Sequence, residues 1–172
     1  MKMMKTVLLM RHAKSSWKHE DIEDIDRPLS KRGKNDAPMM GSLLKKHDQL
    51  PQLVLSSSAK RTRQTAKAVT KECGCEAEIQ YLDSLYLAEP QAYIEAMQAL
   101  ADDVERVLVI GHNPGLEGLV QLFSGRVESM PTSAVAVIDL SIKHWKDLSS
   151  NVEGNLVALW HPDHDKKKKD EK

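Results

Sequence analysis

Short, wholly apolar runs alternate along this chain with longer stretches in which apolar residues recur every three or four positions. The first run, Thr6 to Met10, is uninterruptedly apolar from Val7, as expected of a strand buried on both faces of a parallel sheet. Gln52 to Ser56 repeats the pattern, and Val104 to Ile110 is the most apolar run of all and predicts a central strand. Glu76 to Tyr81 alternates loosely, as an edge strand does, while Ala134 to Leu140 and Leu156 to Trp160 finish the sheet, the last able to pair antiparallel. Helical spacing predicts helices over Lys31 to His47, capped by Ser30, then over Ala59 to Lys71, Pro90 to Ala101 and Pro114 to Phe123. Pro38 falls inside the first of these and either kinks it or starts a turn. Ser15 to Arg27 is polar, acid-rich and without period, which reads as a loop over the strand ends.

Strands alternating with helices predict an α/β fold, a three-layer α/β/α sandwich with a mostly parallel central sheet. In such sheets ligands collect beyond the carboxyl ends of the strands, and three predicted strands deliver polar residues there. Arg11 and His12 follow the first, the segment Ser56 to Ala66 with Arg61 follows the second, and Gly111 and His112 follow the central one. Arg11, Arg61 and His112 would surround a phosphoryl group with fixed positive charge, and Ser57 or Ser58 would add a hydroxyl. No Gly-x-x-x-x-Gly-Lys loop and no cluster of carboxylates accompanies them, so the arginines have to supply the charge that magnesium supplies elsewhere; no metal or cofactor is expected. His12 is then available as a nucleophile, since imidazole is largely neutral near pH 7.

Length and charge narrow the reading. With 172 residues the chain suits one domain, placed at 1–162, followed by a charged and disordered tail at 163–172. Twenty-five basic residues balance twenty-five acidic ones, which argues against nucleic acid or membrane as the principal partner. Cys73 and Cys75 fit neither a disulfide framework nor a zinc site, and no signal-like or membrane-length segment is present, so a cytoplasmic protein is expected. His161 and His164 read as a surface turn rather than a metal pair, and His19, His47 and His144 receive no role.

The stretches LLMRHAKSSW, DRPLSKRG, SSSAKRTRQTA, LYLAEP and GHNPGLE resemble the histidine phosphatase superfamily, and within it the short phosphohistidine phosphatases. The resemblance runs from about Lys5 to Leu140 and implies a phosphoglycerate mutase-like fold. It also implies that His12 is phosphorylated on one ring nitrogen while the other bonds a backbone carbonyl, and that water then hydrolyses the phosphoenzyme. Arg61, which opens Arg-x-x-Gln-Thr, matches the phosphate-binding arginine, and Arg63 becomes a surface or rim charge. Ser15 matches a hydroxyl that often touches the phosphate. Arg27 matches an arginine of the short phosphatases and either guards the mouth or pairs with a loop carboxylate. Ala13 replaces the usual glycine, and Lys18 stands where the mutases carry Asn.

The general acid is the least determined position. Mutases of the superfamily use a Glu near the third strand, where this chain offers the shorter Asp83, which either donates a proton or caps the next segment. The acid histidine phosphatases use an Asp after the second histidine, and Asn113 stands there. The expected activity is a cofactor-independent phosphatase acting on protein phosphohistidine, with a phosphotransfer domain as partner and a monomeric state. The alternatives are a phosphatase of small phosphoesters and a phosphate-binding module without turnover.

Overall fold

The computed structural model describes residues 4–18 and 21–162. The expected tail at 163–172, with His164, and the loop residue His19 lie outside the described residues. Ten principal elements follow in order: β1 (Lys5–Arg11), α1 (Lys31–Lys46), β2 (Leu53–Ser57), α2 (Lys60–Cys73), β3 (Glu78–Leu82), α3 (Pro90–Gln98), β4 (Arg106–Gly111), α4 (Gly115–Ser124), β5 (Val135–Leu140) and β6 (Gly154–Trp160). They form one six-stranded sheet in the order β3-β2-β4-β1-β5-β6, parallel from β3 to β1 and antiparallel across β1/β5 and β5/β6. This is the phosphoglycerate mutase-like arrangement expected from the sequence.

The double burial of the central strands explains their unbroken apolar runs. In β1, Val7 and Leu9 join α3 and α4 through Tyr93, Ile94, Leu116 and Leu119, while Leu8 and Met10 face α1 and α2 through Ala37, Met40, Ala66 and Val69. All four strand residues are fully buried, and each contributes about 1.5–3 kcal/mol of apolar burial. The sheet thus has helices on both faces, with β3 and β6 at its edges.

Several boundaries differ from the sequence expectation. The edge strand starts at Glu78 rather than Glu76, and α3 ends at Gln98 rather than Ala101. Pro38 lies inside α1, which runs uninterrupted to Lys46; its ring costs one helical hydrogen bond without ending the helix. Ser30 does cap α1, accepting from the Gly33 amide at 3.2 Å. The acidic loop is not featureless: it contains a 3-10 turn at Asp24–Asp26 and is tied back by a bridge between Ser15 and Leu29. At the end of α2, Cys73 and Cys75 are both free thiols.

Candidate active site

The site forms where β1, β2 and β4 end side by side. Arg11 is the last residue of β1 and pairs in register with Gly111 of β4, so His12 and His112 follow at neighbouring strand ends. Their rings lie 5.4 Å apart, with 6 % and 2 % of each residue exposed. Gly111 has a packing reason to be glycine: a Cβ there would sit 2.2 Å from the Tyr93 hydroxyl. That hydroxyl, on α3, accepts the His112 amide at 3.1 Å and fixes the strand end.

The loop after β1 is positioned by α1 and α2. The Ala13 amide donates to Thr65 Oγ1 at 3.1 Å, and Thr65 in turn donates to the Arg61 carbonyl at 2.7 Å. Gln64 Oε1 accepts the Leu29 amide at 2.8 Å, and the Lys14 carbonyl accepts the Ser30 amide at 2.8 Å. Gly33 packs so tightly against this loop that a Cβ would lie 2.1 Å from the Lys14 carbonyl oxygen. The motif residues Gln64 and Thr65, given no role from sequence, therefore hold the backbone around His12.

A hydrogen bond fixes the tautomer of His12, and another holds the ring of His112. His12 Nδ1 lies 2.7 Å from the Ala13 carbonyl, which can only accept, so the proton sits on Nδ1 and Nε2 keeps a free lone pair. His112 Nε2 lies 2.8 Å from Ser57 Oγ. The Ala59 amide donates to that oxygen at 3.3 Å, so Ser57 Oγ ties the His112 ring to the backbone at the start of α2. Burial, with the nearby arginines, holds His12 down to about 4, although its bond to Ala13 opposes this. Burial, then His12 and Arg61, holds His112 down to about 3. Both rings are neutral near pH 7. The expectation of a fixed positive charge on His112 is thus corrected: its ring is neutral.

The arginines carry the positive charge. Arg61 is buried at the start of α2, whereas Arg63, two positions on, is exposed and stacks on the Tyr81 ring at 4.6 Å. Arg11 Nη1 donates to the Met130 carbonyl at 3.2 Å. Arg11 Nε, Arg61 Nε and His112 Nδ1 are buried without a hydrogen-bond partner among the described residues, and the two arginine N–H groups are donors that an anion would satisfy.

Of the remaining predicted residues, Ser57 serves His112 as described. Ser15 Oγ accepts from Arg27 Nη1 at 2.8 Å, and Arg27 Nε bonds Asp24 Oδ1 at 3.0 Å, so the pairing of Arg27 with a loop carboxylate is realised. Arg27 also stacks under Trp17, 3.5 Å from the ring centroid. Asp83 is not brought into the group. It is exposed, begins a 3-10 turn, and lines a neighbouring groove with Asp26, Lys60, Arg63 and Lys67.

Two residues that sequence reasoning passed over stand at the site. Asp24 binds Arg61 twice, through its carbonyl to Nη1 at 2.7 Å and through Oδ2 to Nη2 at 3.0 Å. Tyr86 also donates to Asp24 Oδ2, and its ring meets His112 edge-on at 5.5 Å. The available signals were the position of Asp24 three residues before Arg27, and Tyr86 within LYLAEP.

Comparison with known proteins agrees with this architecture. Residues 7–86 match the histidine phosphatase superfamily (branch 1). A Mycobacterium tuberculosis protein without assigned function is 35 % identical over 161 residues, covering 87 % of this chain and 96 % of its own length. An Arabidopsis thaliana protein described as chloroplastic, also without assigned function, is 32 % identical over 91 % of this chain and 78 % of its own. Among solved structures, a candidate phosphohistidine phosphatase SixA from Nakamurella multipartitia superposes with a TM-score of 0.81 at 27 % identity, covering 92 % of this chain and 96 % of that one. The protein histidine phosphatase SixA complexed with tungstate gives 0.76 at 26 % identity, covering 91 % and 97 %. With its paired Arg-His strand end, its second arginine and its second histidine in the order that family shares, the chain belongs to the histidine phosphatase superfamily.

Proposed function

We propose that this protein is a phosphatase that takes a phosphoryl group onto His12 Nε2, releases it to water, and acts on phosphohistidine carried by another protein. The observation that carries the reading is the tautomer of His12. With Nδ1–H held by the Ala13 carbonyl, Nε2 offers its lone pair beside buried arginine N–H groups that have no partner among the described residues. Arg11, Arg61 and His112 bond the equatorial oxygens and stabilise the charge they carry in the transition state. The binding of tungstate by a SixA of this fold supports an oxyanion pocket. The SixA relatives, each above 25 % identity, support a phosphohistidine substrate; the carrier in our reading is a phosphotransfer domain.

A pure phosphate-binding module needs the arginines but has no use for a tautomer-locked imidazole. The test is to incubate the protein with a histidine-phosphorylated protein near pH 7, measure released phosphate, and trap the enzyme in alkali. The expected result is turnover together with an alkali-stable, acid-labile phosphoenzyme, both lost in His12→Ala. Normal turnover by His12→Ala with a native circular dichroism spectrum overturns the mechanism.

A further inference from the structure

We propose that Asp24 selects the leaving group: its carboxylate accepts the distal ring N–H of a protonated phosphoimidazole as the ring departs, so that the site favours phosphohistidine over phosphate esters. The inference rests on the phosphatase reading above and adds a specificity-determining residue to it.

Burial gives the direction of the reaction. His12 and His112 are almost wholly enclosed and the Arg61 side chain is 3 % exposed, whereas the Asp24 side chain is 43 % exposed. In-line transfer to a nucleophile on the enclosed side sends the leaving group toward solvent. The carboxylate bonded to Arg61 on that side is Asp24. It is not a loosely held loop residue, since Arg61 Nη2 and Tyr86 anchor Oδ2 while Arg27 Nε anchors Oδ1 at 3.0 Å. Tyr86, edge-on to His112, sets this carboxylate at the rim of the site rather than away from it.

The same bonds decide what Asp24 can do there. Partial burial pushes its carboxyl upward, but Tyr86, Arg27 and Arg61 together hold it down to about 2. It is therefore ionised at neutral pH and can accept a proton bond but cannot supply a proton. An alkyl phosphate, whose departing alkoxide needs a proton, gains nothing from it. A phosphoimidazole protonated on its distal nitrogen brings its own proton and a positive charge. When the P–N bond breaks, both electrons stay on the imidazole nitrogen, the phosphoryl group bonds His12 Nε2, and the ring departs neutral with its distal N–H intact. A bound phosphoryl dianion offsets the charges of Arg61 and Arg27, which leaves the Asp24 carboxylate to attract that cation. Asp83, exposed among Lys60, Arg63 and Lys67, is not needed for the step.

The experiment compares kcat/KM for a histidine-phosphorylated peptide with kcat/KM for 4-nitrophenyl phosphate, whose leaving group needs no proton. It uses the wild type, Asp24→Asn and Asp24→Glu, each checked by circular dichroism. Asp24→Asn loosens Arg61 and lowers both values, but the ratio of peptide to aryl ester is expected to fall about tenfold or more. Asp24→Glu is expected to recover most of that ratio. Equal losses on the two substrates overturn the inference and leave Asp24 as a holder of the arginines, with the phosphatase reading intact. A wild type that hydrolyses neither substrate overturns that reading, and this inference with it.

Discussion

At the scale of single residues the site is two neutral imidazoles among cationic arginines, and this has a consequence for pH. His12 and His112 are held near 4 and 3 in the folded chain, against about 6.5 when unfolded. The unfolded state therefore binds protons first as pH falls. Their stabilising contribution is complete above pH 6.5 and is lost toward pH 4 at about 1.4 kcal/mol per pH unit for each histidine, an order-of-magnitude slope. Urea unfolding from pH 7 to 4.5 should show this decline, and His112→Asn should reduce its slope; an unchanged slope would contradict the neutral pair. Ser57→Ala removes the hydrogen bond that holds the His112 ring and is expected to lower kcat for phosphohistidine about tenfold or more, with a smaller change in Tm.

At the scale of elements, α2 is the organising part. Arg61 faces the site, while Gln64 and Thr65, at the next turn, hold the loops that carry Leu29 and Ala13. Thr65→Val keeps the shape but leaves the buried Ala13 amide without its acceptor, which should cost about 1–3 kcal/mol in denaturant unfolding and reduce kcat by displacing His12. Gly33→Ala places a methyl against the Lys14 carbonyl, so α1 or the His12 loop has to shift. An expected loss of about 1–3 kcal/mol would appear as a lowered Tm, together with weaker oxyanion binding. Pro38 belongs to the same scale: the packing of α1 against α2 sustains a helix that local propensity alone would interrupt.

At the scale of the whole molecule, a balanced net charge coexists with a site that gathers Arg11, Arg27 and Arg61 against the single carboxylate of Asp24, so its local charge is positive. We expect hydrolysis to survive EDTA and to be inhibited by vanadate, since arginines and idle N–H donors match a trigonal-bipyramidal oxyanion; loss on chelation restored by magnesium would refute this assignment of charge. The order of elements, the mostly parallel character of the sheet and the positions of Arg11, His12 and His112 were legible in the chain, because doubly buried strands leave unbroken apolar runs and their carboxyl ends mark where a site forms. The choice of Arg61 over Arg63 came from the family resemblance, which puts the phosphate-binding arginine at the start of Arg-x-x-Gln-Thr; helical spacing adds only that Arg63 points to a different face. The tautomer of His12 and the charge states of both histidines were not legible, because they depend on what the Ala13 carbonyl meets in space and on how deeply each ring is enclosed. Nor was the carboxylate at the mouth. Asp83 stood where a linear comparison looks for an acid, but Asp24 reaches Arg61 only because an irregular loop folds over strands distant in sequence, and such a loop leaves no periodic trace in the chain.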